Sequence, residues 1–283
     1  MKLFITDIDD TLSVGETVSQ EVRDACARLR AHGWEIMIAT GRIFGTARGH
    51  MEAAGVTQPS ILYDGARLMT PEGKEVCSSL FDLAIAEELL NFLWTFPAEI
   101  QVVGNETVRC RESDRETIRF YREAGVPVDF IASPSMKKVT KEATPSEPIY
   151  RIGLWLKFEN LSAIEKKVKA AFGSRAEVIS SGPKFLDILS KEVSKGSALK
   201  EFVATLPQRP EVIVAAGDHK NDLTMLSYAD VAVVPSNASQ EVLPLAHIVM
   251  PKAAQNGISA LAEYLLSPGF SVSETRRGSP LVL

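Results

Sequence analysis

Apolar positions along the chain come in short continuous runs separated by stretches of helical spacing. Leu3-Phe4-Ile5-Thr6 is such a run and reads as a buried strand. A loop follows. Ser19 then stands as N-cap before Val22, Ala25, Cys26 and Leu29, whose i, i+3, i+4, i+7 spacing gives a helix one apolar face, and Gly33 ends it. Trp34 to Ala39 is a second apolar run that stops at Thr40. Strand, helix and strand in so short a stretch make a βαβ unit, hence parallel strands. Phe44 to Ala54 reads as a helix closed by Gly55, and Ser60-Ile61-Leu62-Tyr63 as a third strand. Asp64-Gly65 and Pro71-Glu72-Gly73 are turn signals, and Arg67-Leu68-Met69 with Lys74-Glu75-Val76 suits a β-hairpin.

From Asp82 the rhythm changes. The pattern predicts a helix over Ala84 to Thr95, a strand over Glu99 to Val103 and a helix over Arg115 to Ala124. Residues 132–148, rich in Pro, Ser, Thr and Lys, read as a surface loop. Ile149 to Phe158 alternates as a strand, Asn160 caps a helix running to Phe172, and Glu177 to Ser180 and Phe185 to Leu189 are short strands. The parallel rhythm then resumes. Helices are expected over Ser197 to Thr205, Asp222 to Ala229 and Ile258 to Leu266, with strands over Val212 to Ala216, Val231 to Val234 and Ile248-Val249. Beyond Pro268 the core-forming pattern thins, so 269–283 is expected as a loose tail. The expectation is an α/β fold: an open parallel Rossmann-like sheet with helices on both faces, built from 1–81 and 184–268. An α+β cap domain over 82–183 is inserted into it.

Composition narrows the class. At 283 residues, 45% hydrophobic and 24% charged, the chain has an ordinary globular balance. A net charge of −5 argues against a general nucleic-acid surface. No apolar run approaches the ~20 residues of a membrane span. Cys26, Cys77 and Cys110 form no CxxC pair, which argues against zinc and suits a reducing compartment. Because Met1 to Ile5 leads straight into a strand, no cleaved signal is read, and a cytoplasmic location is expected.

Four short motifs follow, or sit near, these apolar segments: Asp7-Ile8-Asp9-Asp10-Thr11, Thr40-Gly41-Arg42, Lys195, and Gly217-Asp218-His219-Lys220-Asn221-Asp222. In an open parallel sheet, ligands bind at the carboxyl ends of the strands. Residues i and i+2 of extended chain project to one side, so Asp7 and Asp9 can share one space. Clustered carboxylates repel, a divalent cation relieves the repulsion, and an oxygen-rich set favours Mg²⁺. Each motif alone has a plainer reading. Asp-x-Asp also suits a strand-end turn, Thr40-Gly41 a capped turn, Asp218 to Asp222 a charged helix start, and Lys195 a solvated charge. Together they supply the groups needed to move a phosphoryl unit with a divalent metal.

In this order the motifs closely resemble those of the haloacid dehalogenase superfamily of phosphatases, in particular its Cof-type branch, whose α/β cap lies between the second and third motifs. The resemblance implies that Asp7 is a nucleophile forming an aspartyl-phosphate, and that Asp9 is the general acid and then the base. It implies that Thr40 and Gly41 bind the phosphoryl group, that Lys195 neutralises its charge, and that Asn221 orients the phosphate or Asp7. Asp7, Asp9 (through its backbone carbonyl), Asp218 and Asp222 would hold Mg²⁺, with a small phosphorylated metabolite, sugar phosphates foremost, as the partner. Arg42 stays open between a substrate contact and a surface ion pair. Two positions depart from the pattern: Asp10, where many members have Gly, and Asp64, where the branch often has Asn. Asp64 could change leaving-group contacts or only serve its turn, with the turn favoured. Some of Arg109, Arg111, Arg115, Arg119, Arg122 and Arg151 could bind an anionic substrate, with a solvated face favoured for most. A phosphomutase or other phosphotransferase would use the same nucleophile. A noncatalytic regulator on this fold is the weaker rival, since every catalytic residue type is present.

Overall fold

The structure is a computed structural model and describes residues 1–134, 148–156, 161–276 and 279–283. The chain divides into two compact units. One comprises Met1–Arg42, Ala47–Cys77 and Ser194–Leu283, the other Ile43–Thr46 and Ser78–Val193.

The first unit holds a six-stranded sheet. Numbered along the whole chain, its strands are β1 (Lys2–Thr6), β2 (Trp34–Ile38), β12 (Val212–Ala216), β13 (Val231–Pro235), β14 (Ile248–Met250) and β15 (Leu281–Val282). The spatial order is β15-β14-β13-β12-β1-β2, and every pairing is parallel. Leu3, Phe4 and Ile5 are all fully buried. Continuous burial on both faces is what lets an unalternating apolar run form a parallel strand. Leu3, Ile5 and Met37 pack with Leu199 and Phe202 of α6 (Lys195–Thr205) and with Met225 and Leu226 of α7 (Leu223–Tyr228). Phe4 and Ile36 are left for the opposite face. Each such side chain stabilises the fold by about 1.5–3 kcal/mol.

Helix α1 (Gln20–Ala31) buries the expected Val22, Ala25, Cys26 and Leu29. Ser19 caps it by accepting from the Val22 amide at 3.2 Å. It packs on α8 (Gly257–Leu265). Helix α2 (Phe44–Ala54) buries Ala47, His50, Met51 and Ala54. The run at Ser60–Leu62 does not extend the main sheet as a full strand. As β3 it meets the sheet at an Ala39–Ile61 bridge and an Ile38 amide to Ser60 Oγ bond, then pairs antiparallel with β4 (Arg67–Met69), to which β5 (Glu75–Ser78) adds. The cause is the turn at Tyr63 and Asp64, both at left-handed φ (54° and 55°), which sends the chain back on itself.

The described residues after Pro268, 269–276 and 279–283, are not the loose tail expected. Phe270 packs 6.1 Å from Trp34 and 5.7 Å from Tyr264, centroid to centroid, and Tyr264 Oη and Thr275 Oγ1 are hydrogen-bonded at 2.9 Å. Leu281 and Val282 then pair with Ile248 and Val249 as the sixth strand.

The second unit contains α3 (Leu83–Leu93), α4 (Arg115–Glu123), α5 (Leu161–Phe172) and strands β6 (Ala98–Val103), β7 (Val108–Cys110), β8 (Val128–Phe130), β9 (Arg151–Leu156), β10 (Ala176–Gly182) and β11 (Phe185–Ser190). Their order is β10-β11-β9-β6-β7-β8, antiparallel except for β7 with β8. Strand β11 pairs with β9 and β10, so this unit runs on to Val193 and past the boundary expected at 183. Leu89, Leu90 and Leu93 of α3 and Ile164, Val168 and Phe172 of α5 cover Ile100, Val102, Ile152, Leu154 and Ile188. Arg109 and Arg151 are buried and do not belong to a solvated face; Arg151 Nε lies 3.3 Å from Asp187 Oδ1. The Asn160 cap and most of the 132–148 loop fall outside the described residues.

Candidate active site

The site forms within the first unit, where the carboxyl ends of β1, β2 and β12 are in register: Thr6 lies beside both Ile38 and Ala216. Asp7 continues the ladder by one bond, its amide donating to the Ala216 carbonyl at 2.9 Å, which fixes its side chain at the strand end. Beyond it the chain turns sharply. The Ile8 carbonyl accepts from Leu12 and Ser13, and Asp10 sits at φ 56°. That left-handed conformation explains why Gly suits position 10, and Asp is among the few other residues that tolerate it. The turn also separates the two carboxylates expected to share one space. Asp7 is buried, while the exposed Asp9 side chain swings to Arg42.

Lys195 opens α6. Ser194 caps that helix and forms a capping box with Ser197. The lysine is 0% exposed, and its Nζ lies 2.9 Å from Asp7 Oδ1 and 2.7 Å from Asp222 Oδ1. Its backbone is wedged in place: a Cβ on Gly65, at φ +111°, would come within 2.3 Å of the Ser194 carbonyl oxygen. A Cβ on Gly196 would come within 2.4 Å of the Thr224 carbonyl. Asp222 uses its other oxygen to accept from the Asp218 and His219 amides at 2.9 and 3.1 Å, folding the fourth motif around itself. Thr11 Oγ1 donates to Asp218 Oδ1 at 3.1 Å.

Asp7, Asp218 and Asp222 place carboxylate oxygens within 4.8 Å of one another. Burial, opposed by Lys195 and reinforced by Asp222 and Asp218, holds the Asp7 carboxyl well above the usual range. Burial and then Asp222 push Asp218 up to about 7. Burial alone would lower the Lys195 ammonium, but Asp222 and Asp7 outweigh it and hold the group charged. Fully ionised, the three carboxylates and one ammonium sum to −2. The donors are hard oxygens, close together and electrostatically short of positive charge, so they fit a divalent cation such as Mg²⁺. The Asp9 carboxylate is not among them.

Thr40 continues from β2, its amide donating to the Ile61 carbonyl at 2.9 Å and its Oγ1 accepting from the Arg42 amide at 3.2 Å. Asp64 does more than serve its turn. Its amide donates to the Thr40 carbonyl at 3.0 Å, and its Oδ1 accepts from Asn221 Nδ2 at 2.9 Å. Gly41 lies close beside it: a Cβ there would come 2.7 Å from Asp64 Oδ2 and push that carboxylate aside. Asn221 is bonded to Asp64, and among the described residues its buried Oδ1 has no hydrogen-bond partner.

Arg42 forms bidentate pairs on two sides. Its Nε and Nη2 donate to Asp9 Oδ2 and Oδ1 at 3.0 and 2.7 Å, and its Nη1 and Nη2 donate to Glu16 Oε2 and Oε1 at 2.7 and 3.1 Å. Sequence reasoning did not single out Glu16, which lies on a loop with no motif around it.

A family model described as haloacid dehalogenase-like hydrolase matches residues 4–261. The putative phosphatase YxeH of Bacillus subtilis is 27% identical over 277 residues, covering 94% of this chain and 99% of its own length. A haloacid dehalogenase-like hydrolase structure from B. subtilis superposes with a TM-score of 0.81 at 24% identity, covering 94% of this chain and 100% of that one. A structure described as the HAD subclass IIB sugar phosphatase BT4131 gives 0.78 at 20% identity, covering 94% and 99%.

Proposed function

The chain belongs to the haloacid dehalogenase-like hydrolases, and on that premise we propose that it is a phosphatase that hydrolyses a small phosphomonoester through an aspartyl-phosphate on Asp7. The observation that carries the reading is the fully buried Lys195, bonded at once to Asp7, at the end of β1, and to Asp222, in the turn after β12. A buried ammonium holding a carboxylate in place leaves that carboxylate aimed and rigid, as a nucleophile must be.

In the first step an Asp7 oxygen attacks phosphorus. The bond to the leaving oxygen breaks, its electron pair stays on that oxygen, and Asp9 supplies the proton. In the second step water attacks the phosphorus of the acyl phosphate, gives its proton to Asp9, and Asp7 departs as a carboxylate. Lys195 stabilises the negative charge on the transferring group throughout. Thr40 and Gly41 would bind the phosphoryl oxygens at the strand end. Asp7, Asp218 and Asp222 would hold Mg²⁺, joined by the Asp9 carbonyl. The cation would supply charge neutralisation for an anionic substrate.

Sugar phosphates are the first substrate class to try, because BT4131 is described as a sugar phosphatase. The test is a panel of phosphorylated metabolites with free-phosphate detection, run with Mg²⁺ and with excess chelator. Phosphate release from at least one small phosphomonoester, abolished by chelation and restored by Mg²⁺ but poorly by Ca²⁺, is expected. Full activity in chelator would remove the metal from the account.

A further inference from the structure

The mechanism leaves the Asp9–Arg42–Glu16 cluster unused beyond Asp9 itself. Asp9 and Glu16 have side chains 54% and 67% exposed, yet the arginine between them is only 10% exposed. Exposed ion pairs are usually worth little. This one differs in being bidentate on both sides, which fixes the plane of the guanidinium as well as its position. The loop that carries Glu16 is itself pinned: the buried His50 ring Nε2 lies 3.2 Å from the Gly15 carbonyl oxygen, and Val14 bridges to Thr17. Gly15 takes φ +71° in that turn. The chain of constraint therefore runs from α2 through His50 to the loop, from Glu16 to Arg42, and from Arg42 to both oxygens of Asp9.

We propose that Glu16 is a positioning residue for the leaving-group side of the reaction: it holds Arg42, and through Arg42 it sets the direction in which Asp9 faces. The inference rests on the reading of Asp9 as the proton donor. Turning the Asp9 side chain away weakens proton donation in the first step, and kcat/KM reports that step rather than the later hydrolysis common to all esters. The effect on kcat/KM therefore scales with how much the leaving group needs a proton. An alkoxide needs one badly, and p-nitrophenolate hardly at all.

The test is Glu16→Gln, which keeps the shape and removes the charge, assayed for kcat/KM on p-nitrophenyl phosphate, phenyl phosphate and an alkyl phosphate. The expected result is less than about a threefold loss on p-nitrophenyl phosphate and more than about a tenfold loss on the alkyl ester, with phenyl phosphate between. Glu16→Asp should recover part of the alkyl activity. A readout independent of turnover is the Arg42 Nε–Hε resonance, slowly exchanging in the parent and lost or broadened in Glu16→Gln. Equal losses on all three esters, no loss on any, or an unchanged Arg42 resonance would each overturn the proposal. A parent protein inactive on every ester would instead overturn the phosphatase reading, and this inference with it.

Discussion

Replacing Lys195 with Met removes the charge at the centre of the site while nearly keeping its volume. The ammonium is 0% exposed and contacts Asp7 and Asp222 at 2.9 and 2.7 Å. At an effective dielectric of ~20, unit charges about 4 Å apart attract by about 4 kcal/mol. The two contacts together therefore offset a desolvation cost of several kcal/mol for each buried ion. Without the lysine, two buried carboxylates face each other and Asp218 with no cation. Breaking a buried pair from one side costs about 3–5 kcal/mol. Urea unfolding of the metal-free protein should show that loss as a lower midpoint at unchanged slope. Turnover should fall by at least ~100-fold, the scale of removing one electrostatic stabiliser of a transition state. Affinity for Mg²⁺, titrated calorimetrically at pH 8, should rise as activity falls, because the site has become more negative. A variant that keeps more than about a tenth of parent activity, or unfolds within about 1 kcal/mol of the parent, would refute the reasoning.

Three further outcomes follow from the same geometry. Asp218 has its folded pKa raised to about 7, so between the ordinary carboxylate range and 7 the folded state keeps a proton that the unfolded chain has released. Stability of the metal-free protein should then fall as pH rises through that window, by at most about 1.4 kcal/mol per pH unit for this group; Asp218→Asn should flatten the slope in thermal melts, and an unchanged slope would exclude Asp218 as its source. Gly65→Ala sets a Cβ 2.3 Å from the Ser194 carbonyl at φ +111°, and should destabilise by about 1–3 kcal/mol, measured by urea midpoint, with activity reduced because Lys195 is the next residue. Asp7→Asn should keep the fold by circular dichroism and lose turnover, since an amide is a poor nucleophile.

Much of this was legible in the chain before folding. Helices α1 and α2 follow from amphipathic spacing closed by Gly33 and Gly55, both at positive φ. The core strands follow from apolar runs, because two covered faces demand them. Strands β7, β8 and β15 escaped because two or three residues carry no period and, unlike β4 and β14, no neighbouring turn pair or βα rhythm marks them. The closing segment escaped because its contacts, Phe270 on Trp34 and Tyr264 and Thr275 on Tyr264, follow no spacing. At the site, the rule that i and i+2 share a side failed for Asp9, because extended chain ends at Thr6 and Asp10 turns left-handed. The Asp64–Asn221 bond spans 157 positions and the Arg42–Glu16 pair 26. Contacts of that kind are made by the register of the sheet and the path of loops, which no local pattern encodes.

The central claim is that Asp7 becomes phosphorylated. The most direct measurement is to quench the enzyme during turnover of its best phosphomonoester, reduce with borohydride, and map the digest by mass spectrometry. An aspartyl-phosphate is reduced to homoserine, whereas a free carboxylate is not. The account predicts homoserine at position 7, present only when substrate and Mg²⁺ were supplied together. Homoserine at Asp9, Asp218 or Asp222 instead, or active enzyme with none at position 7, would contradict it.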